Sequence, residues 1–427
     1  VPRTHASAGI ISIGDELAIG ATLDTNAQWL ASQLTDLGIG VVEHVTVADD
    51  DAALADAIRR LATRLDLVIT TGGLGPTLDD LTRQALADVA GQHLVEDQQA
   101  LAEIRAWFSG AGRAMPDANR VQAMRPAGAG ILSNAHGTAP GLHLPGDNSR
   151  ADVFCLPGPP REMVPMFHAH VARAIHPPAG RVVRTRVLRC FGIGESDLAG
   201  RLGNLMDRSR NPLVGTTVAG GVVSIRIRCE GDAPDAEQLI DEAMQESARR
   251  AAPYVFATGQ ATLAETVLQG LMAEGSTVAT VESCTGGLVC KLLTDVPGSS
   301  NAVRGGWITY TNEMKKAEVG VPASIVETDG AVSRACAEAM ARGGLERSGA
   351  TYCLAVTGVA GPGGGSADKP VGTVWICCAA SDGRLDARLF RFPGERANVR
   401  SWSAMSALAM LRFMLAGLEG VPLLRQA

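Results

Sequence analysis

Short apolar runs that break off in glycine turns and pass directly into helical patterns constrain this chain more tightly than any other feature. The sharpest is Val278-Ala-Thr-Val-Glu-Ser-Cys-Thr-Gly-Gly287, after which Leu288 to Leu293 carry the apolar positions of a helix. Near the start, Gly9 to Ile13, Val41 to Val47 and Leu67 to Thr71 read as strands, with helices between them from the Asp24-Thr-Asn26 cap and over Ala52 to Leu61. Strand–helix alternation at this spacing predicts doubly wound α/β sheets in three layers, with helices on both faces. Ligands then gather at the carboxyl ends of the strands.

Ser283 falls at such an end. Its hydroxyl stands on a strand-to-helix turn where the N–H groups of Thr285, Gly286 and Gly287 can face a developing negative charge, although an isolated pattern of this kind also serves as a plain N-cap. The supply of bases sharpens the choice. All eight histidines lie at or before His176, so none in this part of the chain can activate Ser283 or Cys284. Among 38 basic residues only four are lysines, Lys291, Lys315, Lys316 and Lys369. A lysine retained against that bias is suited to what arginine cannot do, which is to lose its proton and act as a base. Lys315 closes Trp307-Ile-Thr-Tyr-Thr-Asn-Glu-Met-Lys315, where a strand ends and a short helix begins. A buried lysine of lowered pKa beside a serine makes a nucleophile without histidine.

Around that pair, Tyr310 is placed to pass the proton or hold Lys315, and Asn312 to orient either group. Lys291 and Lys316 read as solvated helix charges, Lys369 as a loop anchor, and Cys284 as a competing nucleophile. The glycine-rich turn with Thr357, Gly358, Gly361, Gly363 and Gly364 either admits a phosphate or ribose or merely permits a tight connection. Arg396 and Arg400 start the last helix; they are surface charges or, for a nucleotide phosphate, the best available donors.

In the first segment, the run to Thr71 enters Gly72-Gly-Leu-Gly-Pro-Thr-Leu-Asp-Asp-Leu-Thr82. The backbone of Gly72, Gly73 and Gly75, with Thr77, can approach a phosphate, and Glu16, Asp79 and Asp80 offer hard oxygens to a divalent ion such as magnesium. Asp79 and Asp80 read equally as first-turn helix charges. Neither a Gly-x-Gly-x-x-Gly nor a Walker-type lysine loop is present, which disfavours dinucleotide reduction and ATPase chemistry.

Pro177-Pro-Ala-Gly180 and Ala257-Thr-Gly-Gln260 mark boundaries, giving segments 1–176, 181–257 and 260–427. In the middle segment Arg181 to Phe191 and Gly221 to Cys229 alternate as strands, and Glu195 to Met206 and Pro234 to Arg250 read as helices. This is a small α+β unit joining two α/β domains. Apolar residues at 46% and charged residues at 19% argue for folded cores, and the net charge of −7 leaves no basic footprint for nucleic acid. Nine cysteines without a Cys-x-x-Cys pair read as reduced thiols of a cytoplasmic protein. The apolar stretch Met405 to Leu415 is broken by Arg412 and no basic-then-apolar leader is read, so no membrane span is expected.

Six collinear motifs resemble the CinA carboxyl-terminal domain, the family of nicotinamide mononucleotide deamidase, PncC. They are Glu282-Ser-Cys-Thr-Gly-Gly287, Val296-Pro-Gly-Ser-Ser300, Tyr310-Thr-Asn-Glu-Met-Lys315, Gly330-Ala-Val-Ser333, Thr357-Gly-Val-Ala-Gly-Pro-Gly-Gly-Gly365 and Lys369-Pro-Val-Gly-Thr-Val374. Gly14-Asp-Glu-Leu17, the Gly72 to Thr82 stretch, Asn119-Arg-Val-Gln-Ala123, Gly137-Thr-Ala-Pro-Gly141 and Leu156-Pro-Gly-Pro-Pro-Arg-Glu-Met163 resemble the amino-terminal CinA domain, which is similar to molybdopterin-binding domains of the MoaB and MogA type. The middle segment resembles the KH-like domain of CinA, but Gly192-Ile-Gly194-Glu195 carries a carboxylate where a nucleic-acid clamp needs a base, so it reads as a spacer or dimerisation unit.

The resemblance implies deamidation of nicotinamide mononucleotide without a cofactor. It also implies a homodimer and a metal-dependent ADP-ribose pyrophosphatase in the first domain, with Asp79 and Asp80 at the metal and Glu16, Asp24 and Asn26 as further candidates. A pterin is the competing occupant of that pocket. The reading from another class is a non-catalytic ligand sensor or a competence- and recombination-associated interaction protein.

Overall fold

A computed structural model describes residues 3–427. The chain divides into two units, one comprising the chain up to Arg184 together with Cys229–Gln238, the other Thr185–Arg228 with Leu239–Ala427. In the first unit the strands are β1 (Ser7–Ile13), β2 (Gly40–Val47), β3 (Leu67–Thr71), a short ribbon of β4 (Leu94–Glu96) and β5 (Met124–Pro126), then β6 (Gly130–Leu132), β7 (Gly141–Leu144) and β8 (Asp152–Leu156). The sheet order is β2-β1-β3-β8-β7-β6, parallel through β8 and antiparallel at β7 and β6. Strands β1, β3 and β8 are buried nearly throughout because helices cover both faces. Leu54, Ile58, Leu61 and Leu86 close one side over Ile11, Val68 and Val153; Leu30, Leu34 and Met163 close the other over Ile10, Ile69 and Phe154.

The three-layer expectation holds, with one addition. The antiparallel arm at β6 and β7 consists of strands of three and four residues, too short to carry a periodic pattern. Asp79 and Asp80 are not first-turn helix charges: the helix begins at Thr82, whose hydroxyl donates to the Gly72 carbonyl at 2.9 Å and ties the helix start to the glycine loop.

Residues 181–258 build a four-stranded sheet of order β10-β11-β9-β12, from β9 (Arg181–Cys190), β10 (Leu213–Ala219), β11 (Val222–Asp232) and β12 (Val255–Thr258). Two of its strands were expected; β10 and β12 were not.

The carboxyl-terminal sheet runs β14-β13-β15-β16-β17, from β13 (Val278–Glu282), β14 (Val303–Ile308), β15 (Tyr352–Gly358), β16 (Thr373–Ala380) and β17 (Leu385–Arg391). Strands β14, β13 and β15 are parallel, and β16 and β17 continue antiparallel. Alternation along β16 separates two helical layers: Cys377 packs in the core under helix Arg334–Ser348, while the Sγ of Cys378 meets the Met414 sulfur at 3.5 Å under helix Arg396–Leu415. All nine cysteines are free, and among the described residues no helix is long and apolar enough to cross a membrane.

Helix Arg334–Ser348 also buttresses the short helix Asn312–Val319 that carries Lys315. A Cβ at Gly343 would stand 1.8 Å from the Val319 carbonyl oxygen, so the two helices approach closely only through glycine. Gly343→Ala is expected to lower unfolding free energy by about 1–3 kcal/mol through overpacking, despite alanine's roughly 1 kcal/mol advantage in an open helix. Denaturant titration measures the change, and an unshifted midpoint would show that the contact is not tight.

Candidate functional site

Strands β13 and β15 place Ser283 one residue beyond the sheet, where its N–H donates to the Val356 carbonyl at 2.9 Å. Next to it, the Thr309 N–H donates to the Glu282 carbonyl at 2.8 Å and ties the end of β14 to the end of β13. Helix Asn312–Val319 then turns Lys315 inward together with Val319, four residues on. Lys315 is 1% exposed, and its Nζ lies 3.0 Å from Oγ of Ser283 and donates to the Thr309 carbonyl at 2.8 Å. Its hydrogen-bond partners are that hydroxyl and that carbonyl, with no carboxylate paired to it among the described residues; burial pulls its pKa down, against smaller upward pulls from Cys336, Cys284 and Glu313. The Cys284 thiol is pushed up to about 12, chiefly by burial, which keeps it protonated at neutral pH.

The turn after Ser283 differs from expectation in one respect. Gly286 and Gly287 take φ of 58° and 91°, a bend that only glycine makes freely, and the helix starts at Leu288. The Gly286 N–H donates to the Ser283 carbonyl at 3.1 Å and is not a free oxyanion donor. The N–H groups of Thr285 and Gly287 donate to no acceptor among the described residues. Beyond them the helix N-terminus is already filled: the fully buried Glu282 carboxylate accepts from Val289 at 3.0 Å and Cys290 at 2.8 Å. Sequence reading missed Glu282 and the Thr309 carbonyl. A carboxylate closing a buried strand was a visible signal for the first, whereas nothing in sequence flags a backbone oxygen.

The other expected residues gather at the same end of the sheet with different partners. Tyr310 is 57% exposed, and its hydroxyl accepts from Arg396 at 2.9 Å, so the Thr309 carbonyl holds Lys315 in its place. Arg396 also donates to the Gly361 carbonyl at 2.8 Å, and Arg400 donates to the Thr285 carbonyl at 2.7 and 3.2 Å. Both arginines thus brace loops around the pair. Thr357 is buried and donates to the Ala331 carbonyl at 2.7 Å. Gly358 lies at the end of β15, where a Cβ would press on Thr373 and Val374, and Gly363 and Gly364 are exposed. Asn312 is exposed at the start of its helix, away from an orienting role. Lys291 and Lys316 are exposed and Lys369 donates to the Asp329 carbonyl at 2.9 Å, as a loop anchor does.

In the first unit a cavity of about 420 Å³ opens at the ends of β1, β3 and β8, lined by Glu16, Gly72, Gly73, Gly75, Thr77, Asp79 and Asp80. The loop satisfies itself internally. Gly72 N–H donates to the Leu156 carbonyl at 3.0 Å, and Asp80 accepts from Gly75 N–H at 2.6 Å, Thr77 N–H at 2.8 Å and the Thr77 hydroxyl at 2.5 Å. Buried Arg83 braces it from beneath, donating to the Leu74 carbonyl and, at 3.1 Å, to that of Gly75. Of the expected phosphate donors, Gly72, Gly75 and Thr77 are therefore engaged.

The expected metal set does not assemble. Asp24 caps the helix Thr25–Asp36 through Ala27, Asn26 donates to the Gly158 carbonyl at 2.6 Å, and both Asp80 oxygens are taken. Among the described residues no three His, Cys, Asp or Glu side chains converge to hold an ion. Glu16, Asp49, Asp79, Asp80 and Glu162 line the cavity with no lysine, arginine or histidine among its walls. Partial burial, then repulsion from Asp15, Asp79 and Glu16, raises the Asp49 pKa against the lowering effect of a backbone hydrogen bond from Asp15.

Three family models match: "Probable molybdopterin binding domain" over residues 9–177, "Damage-inducible protein CinA KH domain" over 185–257 and "CinA C-terminal domain" over 260–415. A relative from Symbiobacterium thermophilum, named among competence-damage inducible proteins, is 43% identical over 422 residues, covering 96% of this chain and 99% of its own. A "CinA-like protein" from Akkermansia muciniphila is 40% identical over 405 residues, 94% of this chain and 96% of its own. The solved structure of competence/damage inducible protein CihA from Agrobacterium tumefaciens is 43% identical and covers 36% of this chain and 93% of its own, with a TM-score of 0.35.

The buried amine has a stability signature. Folding lowers the Lys315 pKa from its usual 10.5, so between the two values the unfolded chain binds the extra proton and native stability rises with pH across that window. Below the window the cost of burying the ammonium is felt in full. Lys315→Met is expected to be at least as stable as the parent near neutral pH, with the difference narrowing as pH climbs toward 10.5. Urea unfolding at a series of pH values reads this directly, and a variant less stable at every pH contradicts it.

Proposed function

Because the chain belongs to the CinA family, with a molybdopterin-binding-like domain ahead of its CinA carboxyl-terminal domain, we propose that the carboxyl-terminal site is an amidohydrolase converting nicotinamide mononucleotide to nicotinic acid mononucleotide and ammonia. One observation carries this reading: a buried amine without a carboxylate partner stands 3.0 Å from a serine hydroxyl on a glycine turn. Neutral Lys315 takes the Ser283 proton as Oγ bonds to the carboxamide carbon. The oxyanion is received by the N–H groups of Thr285 and Gly287. The lysine ammonium returns the proton to the amide nitrogen, the C–N bond breaks, and ammonia departs. Water then yields a proton to Lys315 and adds to the ester carbon, and Oγ leaves with that proton. Lys315 handles every transfer, so the sequence of steps calls for no cofactor.

The walls of the amino-terminal cavity support a narrower reading than a metal-dependent ADP-ribose pyrophosphatase. Carboxylates without a facing cation repel a diphosphate, so a phosphorylated ligand, whether ADP-ribose or a pterin phosphate, enters with its own counterions.

Ammonia release from nicotinamide mononucleotide by the full chain tests the amidase. Ser283→Ala and Lys315→Arg are each expected to lower kcat on the order of 10³-fold or more, the second while keeping the charge. The parent kcat/KM rises with pH and levels off below the usual lysine value of 10.5, since the neutral amine is the active form. A Ser283→Ala protein with most of its rate removes the proposed nucleophile, and an active Lys315→Arg protein removes the base.

A further inference from the structure

A cavity of about 270 Å³ lies in the second unit, and neither Ser283 nor Lys315 belongs to its walls. One side is the middle sheet, with Arg189 from β9, Val222 from β11 and Phe256 from β12. The other is helical: Leu263 and Ala264 open the helix Leu263–Ala273, Leu292 comes from Leu288–Thr294, and Met405 and Leu408 come from Arg396–Leu415. Apolar side chains dominate, and charge enters only with Arg189, Glu265 and Asp295. Two of these three are incompletely used. Arg189 donates through Nη1 to the Gln260 carbonyl at 2.9 Å, and its other N–H groups meet no acceptor among the described residues. Glu265 accepts from the Thr262 N–H at 2.6 Å and hydroxyl at 2.9 Å on one oxygen, and the second oxygen takes no donor among the described residues. Asp295 is paired with Lys291. Hydrogen bonds from Thr262 lower the Glu265 pKa and, after the opposing effect of burial, the Arg189 charge lowers it further, so guanidinium and carboxylate are neighbours.

We propose that this cavity is a binding site for a small aromatic primary carboxamide, its ring among Phe256, Leu292, Met405 and Leu408 and its amide between Arg189 and Glu265. The space falls below the ~300–1,000 Å³ typical of drug-sized ligand sites, which limits the occupant to a single substituted ring. A ring suits the walls, because Phe256 offers an aromatic neighbour and the Met405 thioether a favourable sulfur contact. The polar end selects the substituent. A guanidinium with unused N–H groups wants an acceptor, and the carboxylate beside it wants a donor. One primary amide supplies both, through its carbonyl oxygen and its NH₂ group. A carboxylic acid would bring its charge against Glu265 and Asp295, and an amine would bring its own against Arg189. A phosphorylated arm is excluded on the same ground. The site is recognised without Ser283 or Lys315, so the inference stands whether or not the amidase reading does.

Calorimetric titration of the full-length protein with benzamide, benzoate and acetamide tests this. Benzamide is expected to bind, acetamide to give no measurable heat for want of a ring, and benzoate to bind at least about tenfold more weakly than benzamide because its charge faces carboxylates. Ala264→Leu fills the cavity from the first turn of its helix and leaves Ser283 and Lys315 untouched, so it is expected to abolish benzamide binding while ammonia release from nicotinamide mononucleotide keeps its parent rate. Arg189→Met is expected to weaken benzamide by about tenfold, the worth of one hydrogen bond to a charged group. An unfolding midpoint close to the parent's in either variant separates loss of the site from loss of the fold. Benzamide that binds the parent and Ala264→Leu equally lies elsewhere, the Ser283 pocket included, and overturns the inference. No binding to the parent overturns it as well, and benzoate binding as tightly as benzamide removes the amide from the assignment.

Discussion

An amine held out of water, with only a carbonyl and a hydroxyl for company, is the constraint around which the carboxyl-terminal domain is arranged. Removing an ammonium from water without a counter-charge is costly, and a protein avoids most of that cost by letting the group go neutral. Two elements must cooperate for Lys315 to sit there. Strand β14 must be registered against β13 so that the Thr309 carbonyl faces inward, and the helix Asn312–Val319 must be packed closely enough to bury the side chain it presents. Gly343 permits the second condition, and the Thr309-to-Glu282 backbone bond enforces the first.

The surrounding polar residues are better understood as struts than as free ligand donors. Glu282 takes the first N–H groups of the helix behind the serine, which fixes both ends of the five-residue turn to the same buried side chain. Arg400 fastens the middle of that turn through the Thr285 carbonyl, and Arg396 joins the glycine-rich loop to Tyr310. A guanidinium carries five donors, so each arginine that braces a loop still has N–H groups to offer a phosphate. Rigidity and recognition are compatible in the same residue. What this network does around Ser283 is to leave the Cys284, Thr285 and Gly287 N–H groups of the turn without an acceptor among the described residues.

The amino-terminal domain solves a different problem with similar materials. Its glycine loop also sits at strand ends, yet Asp80 folds back onto it and uses donors that a bound anion needs. Arg83, buried beneath, stabilises the carbonyls on the loop's inner side. The result is a preformed cavity whose walls are acidic, in contrast to the neutral, donor-rich surroundings of Ser283.

Much of this was determined by sequence alone. Apolar runs broken by glycine fixed where the central strands end, because a strand buried on both faces must be continuously apolar and its turn must allow positive φ. Lysine scarcity singled out Lys315, and the absence of later histidines left it as the candidate base, since those are facts of composition that folding cannot alter. The helix cap at Asp24 was legible for the same local reason. Tertiary structure alone decided which polar groups were already spoken for. Asp80 as a loop clamp, Tyr310 as a partner of Arg396, and Glu282 on the helix N-terminus all depend on which donor happens to lie within 3 Å or so of which acceptor. A hydrogen bond saturates its partners, and no residue type announces in advance whom it will meet.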